Sequence, residues 1–297
     1  MHPKGRSYDR VTQRSEHRYP VGWRSATLPC VALLIDIDDA ADPRLDDFRD
    51  LTVADRRPDR PGGRGLVIAE GTVVVRRLLS SPYPVRALLG VPKRIGELVD
   101  DLATLDMPAY VTSDRVMTEV VGFHLNRGVL AVADRAPRPT LDEVVVDARV
   151  LAVVEGVNDH ENLGAMFRNA AALGVDGVLL GAGCADPLYR RSVRVSMGHV
   201  LRMPFTVAEQ WPHALDELRK HGFHVAAFTP RAEAVTLRDV REAGHCRIAL
   251  LFGSEGHGLS QAALDAADSE VRIPMASGVD SLNVATAAAV AFYELTR

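Results

Sequence analysis

The chain has 297 residues, of which 47% are hydrophobic and 25% charged, and its formal net charge at pH 7 is −4. These proportions are typical of a globular protein with room for two domains, and they do not indicate a largely disordered or membrane protein. Cys30, Cys184 and Cys246 form no Cys-x-x-Cys pair, which argues against a disulfide framework or zinc ribbon. The first residues also lack the apolar core of a signal peptide. Together, these two features predict a cytoplasmic protein.

Residues 1–29 are polar, lack hydrophobic periodicity and contain several prolines and glycines. Six lysine and arginine side chains there outnumber two acidic ones, although the whole chain is slightly acidic. We therefore expect a basic, disordered arm that is not needed for folding. Its charge suits contacts with phosphates, but a solvated basic face has the same composition.

Between residues 30 and 134, short apolar runs alternate with amphipathic segments. This alternation predicts a small α/β domain of about 100 residues. Proline and charge accumulate from Arg135 to Pro139, which predicts a linker over 135–148. Strands are predicted at 65–71, 85–89, 109–111 and 129–133, and helices at 42–51, 72–79, 95–105 and 113–121.

Residues 149–297 repeat a strand-helix rhythm. The pattern predicts a doubly wound, mostly parallel sheet, which binds ligands beyond the carboxyl ends of its strands. Strands are predicted at 150–154, 177–180, 203–207, 224–228, 247–252 and 271–273, and helices at 163–173, 190–199, 213–220, 260–266 and 281–296.

The first of three polar motifs in this domain follows the strand at 150–154. It contains Asn162, Gly164 and Arg168. In a helix that begins near Asn162, Gly164 and Arg168 share a face, and the small glycine would leave room for a substrate. Without other information, the pattern favours an ion pair between Arg168 and a surface carboxylate.

The other two motifs follow later strands. One is the turn Gly-Ser-Glu-Gly-His-Gly-Leu at 253–259, and the other runs from Ile-Pro-Met at 273–275 to Ser-Leu-Asn-Val at 281–284, where the last helix begins. Backbone amides and carbonyls of such turns suit a neutral or zwitterionic cofactor better than a catalytic metal. Ser281 is also a candidate for capping that helix.

Two rival interpretations fit the sequence less well. Gly181-Ala182-Gly183 begins like a dinucleotide-binding fingerprint, but Asp186 stands where the third glycine belongs and Pro187 follows. His221 and His224 are residues of a type that binds metals, but Phe223 between them and the strand that follows favour a turn between a helix and a strand.

Taken together, the three motifs resemble the SpoU (TrmH-like) group of the SPOUT superfamily over about residues 149–297. These are knotted, S-adenosylmethionine-dependent RNA 2′-O-ribose methyltransferases. The resemblance implies a deep trefoil knot, an RNA substrate, no metal, and a homodimer that packs the C-terminal helices together and completes each active site across the interface. The first domain is more weakly similar to the ribosomal L30e fold, a substrate-binding domain, through 68–71 and 122–128; the second of these departs from the family's His-Gln-Gly.

The resemblance also assigns roles to individual residues. It implies that Arg168 acts either as a base for the ribose 2′-hydroxyl or as a protonated stabiliser of the developing alkoxide. The catalytic set is Arg168, Asn162, Glu255, Ser281 and Asn283. The cofactor set is Thr229, Gly253, Ile273, Leu282, Phe228 and Met275. We expect Arg190, Arg191 and Arg194 to bind RNA phosphates, although a solvated basic face explains them too.

The RNA itself is left open by the sequence. A domain of this kind before the methyltransferase domain favours ribosomal RNA over tRNA. A non-catalytic RNA-binding or ribosome-assembly factor that kept the fold is the alternative from another class, and the intact catalytic set argues against it.

Overall fold

The computed structural model of the protein describes residues 33–51, 65–279 and 281–296. The predicted basic arm at 1–29 lies outside these ranges, so it stays a prediction. Two sheets organise the described chain, one of five strands before residue 134 and one of seven strands after residue 149. No helix within these ranges is both long and apolar enough to cross a bilayer.

The first sheet mixes parallel and antiparallel pairs. Its strands are β1 (Leu33–Asp36), β2 (Val67–Glu70), β3 (Val85–Gly90), β4 (Pro108–Val111) and β5 (Val129–Ala133). They lie in the order β1-β4-β3-β5-β2, with β1, β4 and β3 parallel and β5 antiparallel to both neighbours. Every residue of β5 is buried, which explains its unbroken apolar sequence.

The helices of the first unit are α1 (Thr72–Leu79), α2 (Pro92–Gly96), α3 (Val99–Leu102) and α4 (Asp114–Val121). Ser113 caps α4 by accepting from the Val116 amide, and Gly122 ends it in the left-handed region. Two predicted helices differ. The segment 42–51 is a 3-10 helix over Pro43–Phe48, and 95–105 is divided between α2 and α3 because Leu98 leaves helical geometry at φ −109°.

All strand pairs described in the second sheet are parallel, where the sequence predicts a mostly parallel sheet. Its strands are β6 (Val150–Val154), β7 (Gly177–Leu180), β8 (Phe205–Val207), β9 (His224–Phe228), β10 (Val235–Thr236), β11 (Ile248–Phe252) and β12 (Ser269–Arg272). The order is β10-β12-β9-β11-β6-β7-β8. The central strands β6 and β11 are buried at every position, because the sheet is covered on both faces.

The helices around this sheet are α5 (Leu141–Val145), α6 (His160–Leu173), α7 (Arg190–Val195), α8 (His213–Lys220), α9 (Leu237–Ala243), α10 (Gln261–Asp265) and α11 (Val284–Leu295). The helix predicted at 190–199 ends at Val195. Met197 and Gly198 then take φ of 55° and 82°, and a 3-10 helix follows over His199–Leu201. Strand β10 and helix α9 were not predicted.

Part of the predicted linker at 135–148 is helical. Thr140 and Glu143 form a capping box at the start of α5. Val144 and Val145 are buried in the same apolar cluster as Leu151 of β6. Helix α5 therefore packs on the second sheet.

The two units touch along a packed junction. Glu70, at the end of β2, is buried and lies 3.5 Å from Arg190 Nη1 of α7. Gly198 packs so closely against α1 that an added Cβ would lie 3.0 Å from Val74 Cγ1. Arg135 pairs with Asp186 nearby. Apolar and charged contacts thus join the first unit to the second.

Candidate cofactor and catalytic site

A cavity of about 550 Å³ opens at the carboxyl ends of β9, β11 and β12, beside the start of α11. This is the edge at which parallel α/β sheets bind ligands. The structure brings all six residues of the expected cofactor set into its wall: Phe228, Thr229, Gly253, Ile273, Met275 and Leu282. The two rings Phe228 and Phe252 stack with centroids 4.6 Å apart and form a flat apolar surface.

The glycine turn between β11 and α10 forms one side of the cavity. Ser254 and Gly258 exchange backbone hydrogen bonds of 3.2 and 3.1 Å, and Gly256 and Gly258 have φ of 87° and 70°. A Cβ on Gly253 would lie 2.2 Å from the Gly258 carbonyl carbon. The backbone at Gly258 therefore leaves no space for a side chain at position 253, so the turn requires glycine there whether or not a ligand is bound.

Asn283 joins two of the other expected catalytic residues. Its Nδ2 donates to Asn162 Oδ1 at 2.8 Å and to Glu255 Oε1 at 2.7 Å. Its Oδ1 accepts from the amides of Ala285 and Thr286 and so caps α11. The side chain's two donors and its acceptor are thus engaged, which fixes its orientation at the mouth of the cavity.

Ser281 lines the cavity but does not cap the last helix. The cap is Asn283, two residues later, because the chain becomes helical only at Val284. Ser281 is exposed, so its hydroxyl is open to a ligand. The expectation that Ser281 caps α11 was wrong, while its place at the cavity agrees with the resemblance.

Helix α6 carries Asn162 to this site through its own cap and its packing. Asp159 accepts from the amides of Glu161 and Asn162, and the helix begins at His160, three residues before the predicted start at Leu163. Asn169 Nδ2 donates to the Ala285 carbonyl at 2.9 Å, which ties α6 to α11. The contact between Asn162 and Asn283 follows from this helix pair.

Arg168 is not joined to the Asn162, Asn283 and Glu255 cluster. Among the described residues, no hydrogen bond or ion pair links its exposed side chain to a carboxylate. Burial, with smaller contributions from nearby positive charges that include Arg168, lowers the pKa of Arg77 and of His199. Helix α6, which carries Arg168, packs against the 3-10 helix His199–Leu201 at the junction of the two units.

Gly164 has a packing role that the sequence interpretation missed. A Cβ there would lie 2.8 Å from the Ser192 carbonyl oxygen and 3.0 Å from Val195 Cβ. The glycine lets α6 approach α7 closely. It does not leave room for a substrate, so that expectation was wrong.

The three arginines expected to bind RNA have different surroundings. Arg190 is only 20% exposed, pairs with Glu70 and lies 4.8 Å over the Phe123 ring. Arg191 pairs with Glu161 at 2.8 Å, and both side chains are exposed. Arg194 is exposed as well. Arg190 thus contributes to the junction.

Glu155, which follows β6, lies outside the three sequence motifs. Its side chain is 8% exposed and accepts from Trp211 Nε1 at 2.6 Å, from Ser260 Oγ at 2.7 Å and from the Ser260 amide at 2.8 Å. Ser260 caps α10 immediately after the glycine turn. Glu155 therefore anchors one end of the cavity wall, and the only sequence signal was an acid directly after a wholly apolar strand.

The rival motifs have structural roles. A Cβ on Gly181 would lie 2.8 Å from the Trp211 ring, so this glycine serves side-chain packing. His221 directly follows the last residue of α8, and His224 begins β9. They contact Asp142 and Ser269 respectively, which confirms the turn between a helix and a strand.

Comparisons with known proteins show the family of the chain. A sequence model of the SpoU rRNA Methylase family matches residues 149–293. A Mycobacterium tuberculosis protein named as an uncharacterized tRNA/rRNA methyltransferase is 58% identical over 263 residues, covering 88% of this chain and 91% of the relative. The Bacillus subtilis 23S rRNA (guanosine(2553)-2′-O)-methyltransferase RlmP is 30% identical over 228 residues, covering 77% and 87%.

Solved structures give the same fold. An AdoMet-bound rRNA methyltransferase from Sinorhizobium meliloti superposes with a TM-score of 0.74 at 23% identity, covering 88% of this chain and 97% of that one. A structure described as an RNA 2′-O ribose methyltransferase has a TM-score of 0.67 at 28% identity, covering 88% and 98%. The chain belongs to the SpoU family of tRNA/rRNA methyltransferases, and the expected SPOUT-type α/β fold is confirmed.

Proposed function

We propose that the protein transfers a methyl group from S-adenosylmethionine to a ribose 2′-hydroxyl in structured RNA. The observation that carries the proposal is the polar cluster of Asn162, Asn283 and Glu255 at the mouth of the backbone-lined cavity. The 30% identity to a 23S rRNA 2′-O-methyltransferase supports the reaction type.

The cavity fits the cofactor by size and chemistry. A volume of about 550 Å³ is in the range of small-molecule sites, and stacked phenyl rings with Met275 and Val284 offer apolar walls for a nucleoside. Backbone groups of Gly253, Ile273 and Leu282 would hold its polar parts. When bound, S-adenosylmethionine supplies an electrophilic methyl group on a sulfonium, and this chemistry requires no metal.

The chain's own residues would orient the nucleotide and stabilise charge. Asn283 and Glu255 are held in place by their mutual hydrogen bond, while the exposed Ser281 hydroxyl is available to the ribose. Arginine keeps its proton in proteins, so we assign Arg168 to hold a phosphate and stabilise the developing alkoxide instead of acting as a base.

We further propose ribosomal RNA as the substrate. The Bacillus subtilis relative is named for 23S rRNA, and a separate α/β unit precedes the catalytic sheet as in the sequence interpretation. The M. tuberculosis relative is named for both tRNA and rRNA, so tRNA remains the alternative substrate.

A homodimer is part of the proposal. Helix α11 exposes Val290 at 40% and Tyr293 at 46%, and the half-buried Ala287 and Ala289 lie between them and the helix start. An apolar face on the last helix suits close packing against a second copy, and the resemblance implies that this interface completes the active site. Light scattering at micromolar concentration should report a dimer; a monomer would count against this arrangement.

The remaining expectations rest on the sequence and on the resemblance. They are the trefoil knot near the C-terminus, an RNA-binding role for residues 30–134 and for Arg190, Arg191 and Arg194, activity without a metal, and a cytoplasmic location. Activity that survives excess EDTA would support metal-free chemistry, and activity that EDTA abolishes and Mg²⁺ restores would refute it.

The experiment that tests the proposed reaction is methyl transfer in vitro. Purified protein is incubated with methyl-tritiated S-adenosylmethionine and total RNA, and the RNA is digested to nucleosides. We expect label in a 2′-O-methylnucleoside. Label in a methylated base would refute ribose as the target, and unlabelled RNA together with intact RNA binding would favour the non-catalytic factor.

A further inference from the structure

Basic side chains from both structural units meet at their junction. Arg77 of α1 donates a hydrogen bond from Nη1 to the Met197 carbonyl. Its aliphatic part covers Gly198, where an added Cβ would lie 3.4 Å from Arg77 Cβ and Cδ. His199 follows in the chain, and the Arg202 amide donates to the His199 carbonyl at 3.1 Å. We name Arg77, His199 and Arg202 the junction cluster.

The fold places Arg168 beside this cluster. The 3-10 helix that begins at His199 packs against both α1 and α6, and Arg168 projects from α6. Burial and the charges of Arg202 and Arg168 lower the pKa of Arg77. Burial and the charges of Arg77, Arg168 and Arg202 lower the pKa of His199. Four basic groups from three elements therefore act on one another across the junction.

No carboxylate neutralises this charge within the described residues. Neither the junction cluster nor Arg168 takes part in an ion pair there, whereas other exposed arginines do; Arg191 pairs with Glu161 and Arg241 with Glu294. Holding several like charges together disfavours their charged forms unless an anion joins them. Arg168 and Arg202 are exposed, so an anion from solvent has access.

The geometry points to a phosphate of the RNA backbone as the anion that binds to the junction cluster, next to Arg168. Guanidinium groups donate in a planar fork that matches phosphate oxygens, and the half-buried Arg77 is held by the Met197 carbonyl. Because Arg77 belongs to the first unit and Arg202 to the second, one phosphate would fix the RNA strand relative to both. This inference rests on the proposed function.

The test is the salt dependence of RNA binding by the full chain. A fluorescein-labelled RNA hairpin serves as the probe, and its Kd is measured by fluorescence anisotropy over a series of KCl concentrations. The variants are Arg202→Gln and Arg77→Gln. The matched control is Arg149→Gln, which removes the same charge from an exposed position before β6, at the opposite end of the strands from the cavity.

The slope of log K against log salt is negative, and each junction variant should reduce its magnitude by about 0.7 to 0.9, the value of one released counterion. At about 0.1 M salt, this corresponds to a Kd roughly fivefold to eightfold higher. Arg149→Gln should keep the wild-type slope. Equal slopes for Arg202→Gln and wild type, equal losses in Arg202→Gln and Arg149→Gln, or no binding of the hairpin by wild type would each overturn the inference.

Two further measurements separate this inference from the proposed reaction. Arg77→Gln also loses the bond to Met197, so if it does not fold, the exposed Arg202→Gln decides the result. Calorimetry with S-adenosylmethionine should give the same affinity for Arg202→Gln and wild type, because the junction cluster does not line the cavity. A wild type that binds RNA with the expected slopes but transfers no methyl group would refute the reaction and leave the phosphate site standing.

Discussion

Glu155→Gln is the substitution that tests most sharply how the cavity wall is held. In the wild type, Oε1 accepts from Trp211 Nε1 and Ser260 Oγ, and Oε2 accepts from the Ser260 amide. Glutamine has nearly the same shape but replaces one acceptor oxygen by an NH₂ donor. In either amide orientation, this donor meets an N–H that cannot turn away, that of the Trp211 indole or of the Ser260 backbone.

The cost follows from these contacts. An unsatisfied buried donor costs about 1–3 kcal/mol. Glu155 is 8% exposed, so water relieves little of this loss. Ser260 directly follows the glycine turn that lines the cavity, so a displaced Ser260 should also disturb the turn. Part of the lost free energy should therefore appear as weaker cofactor binding. A loss of about 1.4 kcal/mol there raises Kd about tenfold.

The assay combines urea denaturation with calorimetry of S-adenosylmethionine binding. The control is Glu161→Gln, which makes the same chemical change in a side chain that is 53% exposed and paired with Arg191. Such surface pairs contribute about 0–1 kcal/mol. If Glu155→Gln were as stable as Glu161→Gln and bound the cofactor like the wild type, the assigned anchoring role of Glu155 would be wrong.

Three further predictions concern catalysis, the turn and pH. Arg168→Ala should leave cofactor affinity and stability nearly unchanged, because the exposed side chain does not line the cavity. Methyl transfer by this variant should fall by roughly two to four orders of magnitude. Transfer at the wild-type rate would remove Arg168 from the catalytic set. Gly253→Val should lower the urea midpoint and abolish cofactor binding together, because its Cβ would collide with the Gly258 backbone; a stable variant with normal calorimetry would contradict the clash. Burial lowers the pKa of His160, His199 and His224 below 6.5. The unfolded chain therefore takes up protons first as pH falls below about 6.5, so the urea midpoint should decrease from pH 7 toward pH 5, and an increase would contradict the burial.

The sequence predicted the parallel sheet and the cavity because both follow local rules. Short apolar runs such as 150–154 and 247–252 are typical of buried parallel strands, and the carboxyl ends of such strands meet at one edge. The cofactor set around Gly253 and Leu282 came from the resemblance, and the same edge brings those residues together.

Two helices escaped prediction although their start signals were present. Thr140 with Glu143 and Thr236 with Asp239 are capping boxes that begin α5 and α9. The first lies in a stretch that proline and charge marked as a linker. There, burial of Val144 and Val145 against the sheet outweighed composition.

Contacts between residues distant in sequence could not be predicted. The bond from Arg77 to Met197 spans 120 positions, and nothing local to either residue indicates it. Likewise, the Ser192 carbonyl that excludes a side chain at Gly164 belongs to another helix. Such roles depend on tertiary packing, which periodicity and motif spacing do not specify.

The central claim, methylation of a ribose 2′-hydroxyl, is tested most directly by mapping 2′-O-methyl groups in ribosomal RNA and tRNA from cells with and without the gene. We expect a 2′-O-methyl group in ribosomal RNA to disappear with the gene and to return with the wild-type gene but not with Arg168→Ala. Identical 2′-O-methyl maps in both strains, or a change confined to methylated bases, would contradict it.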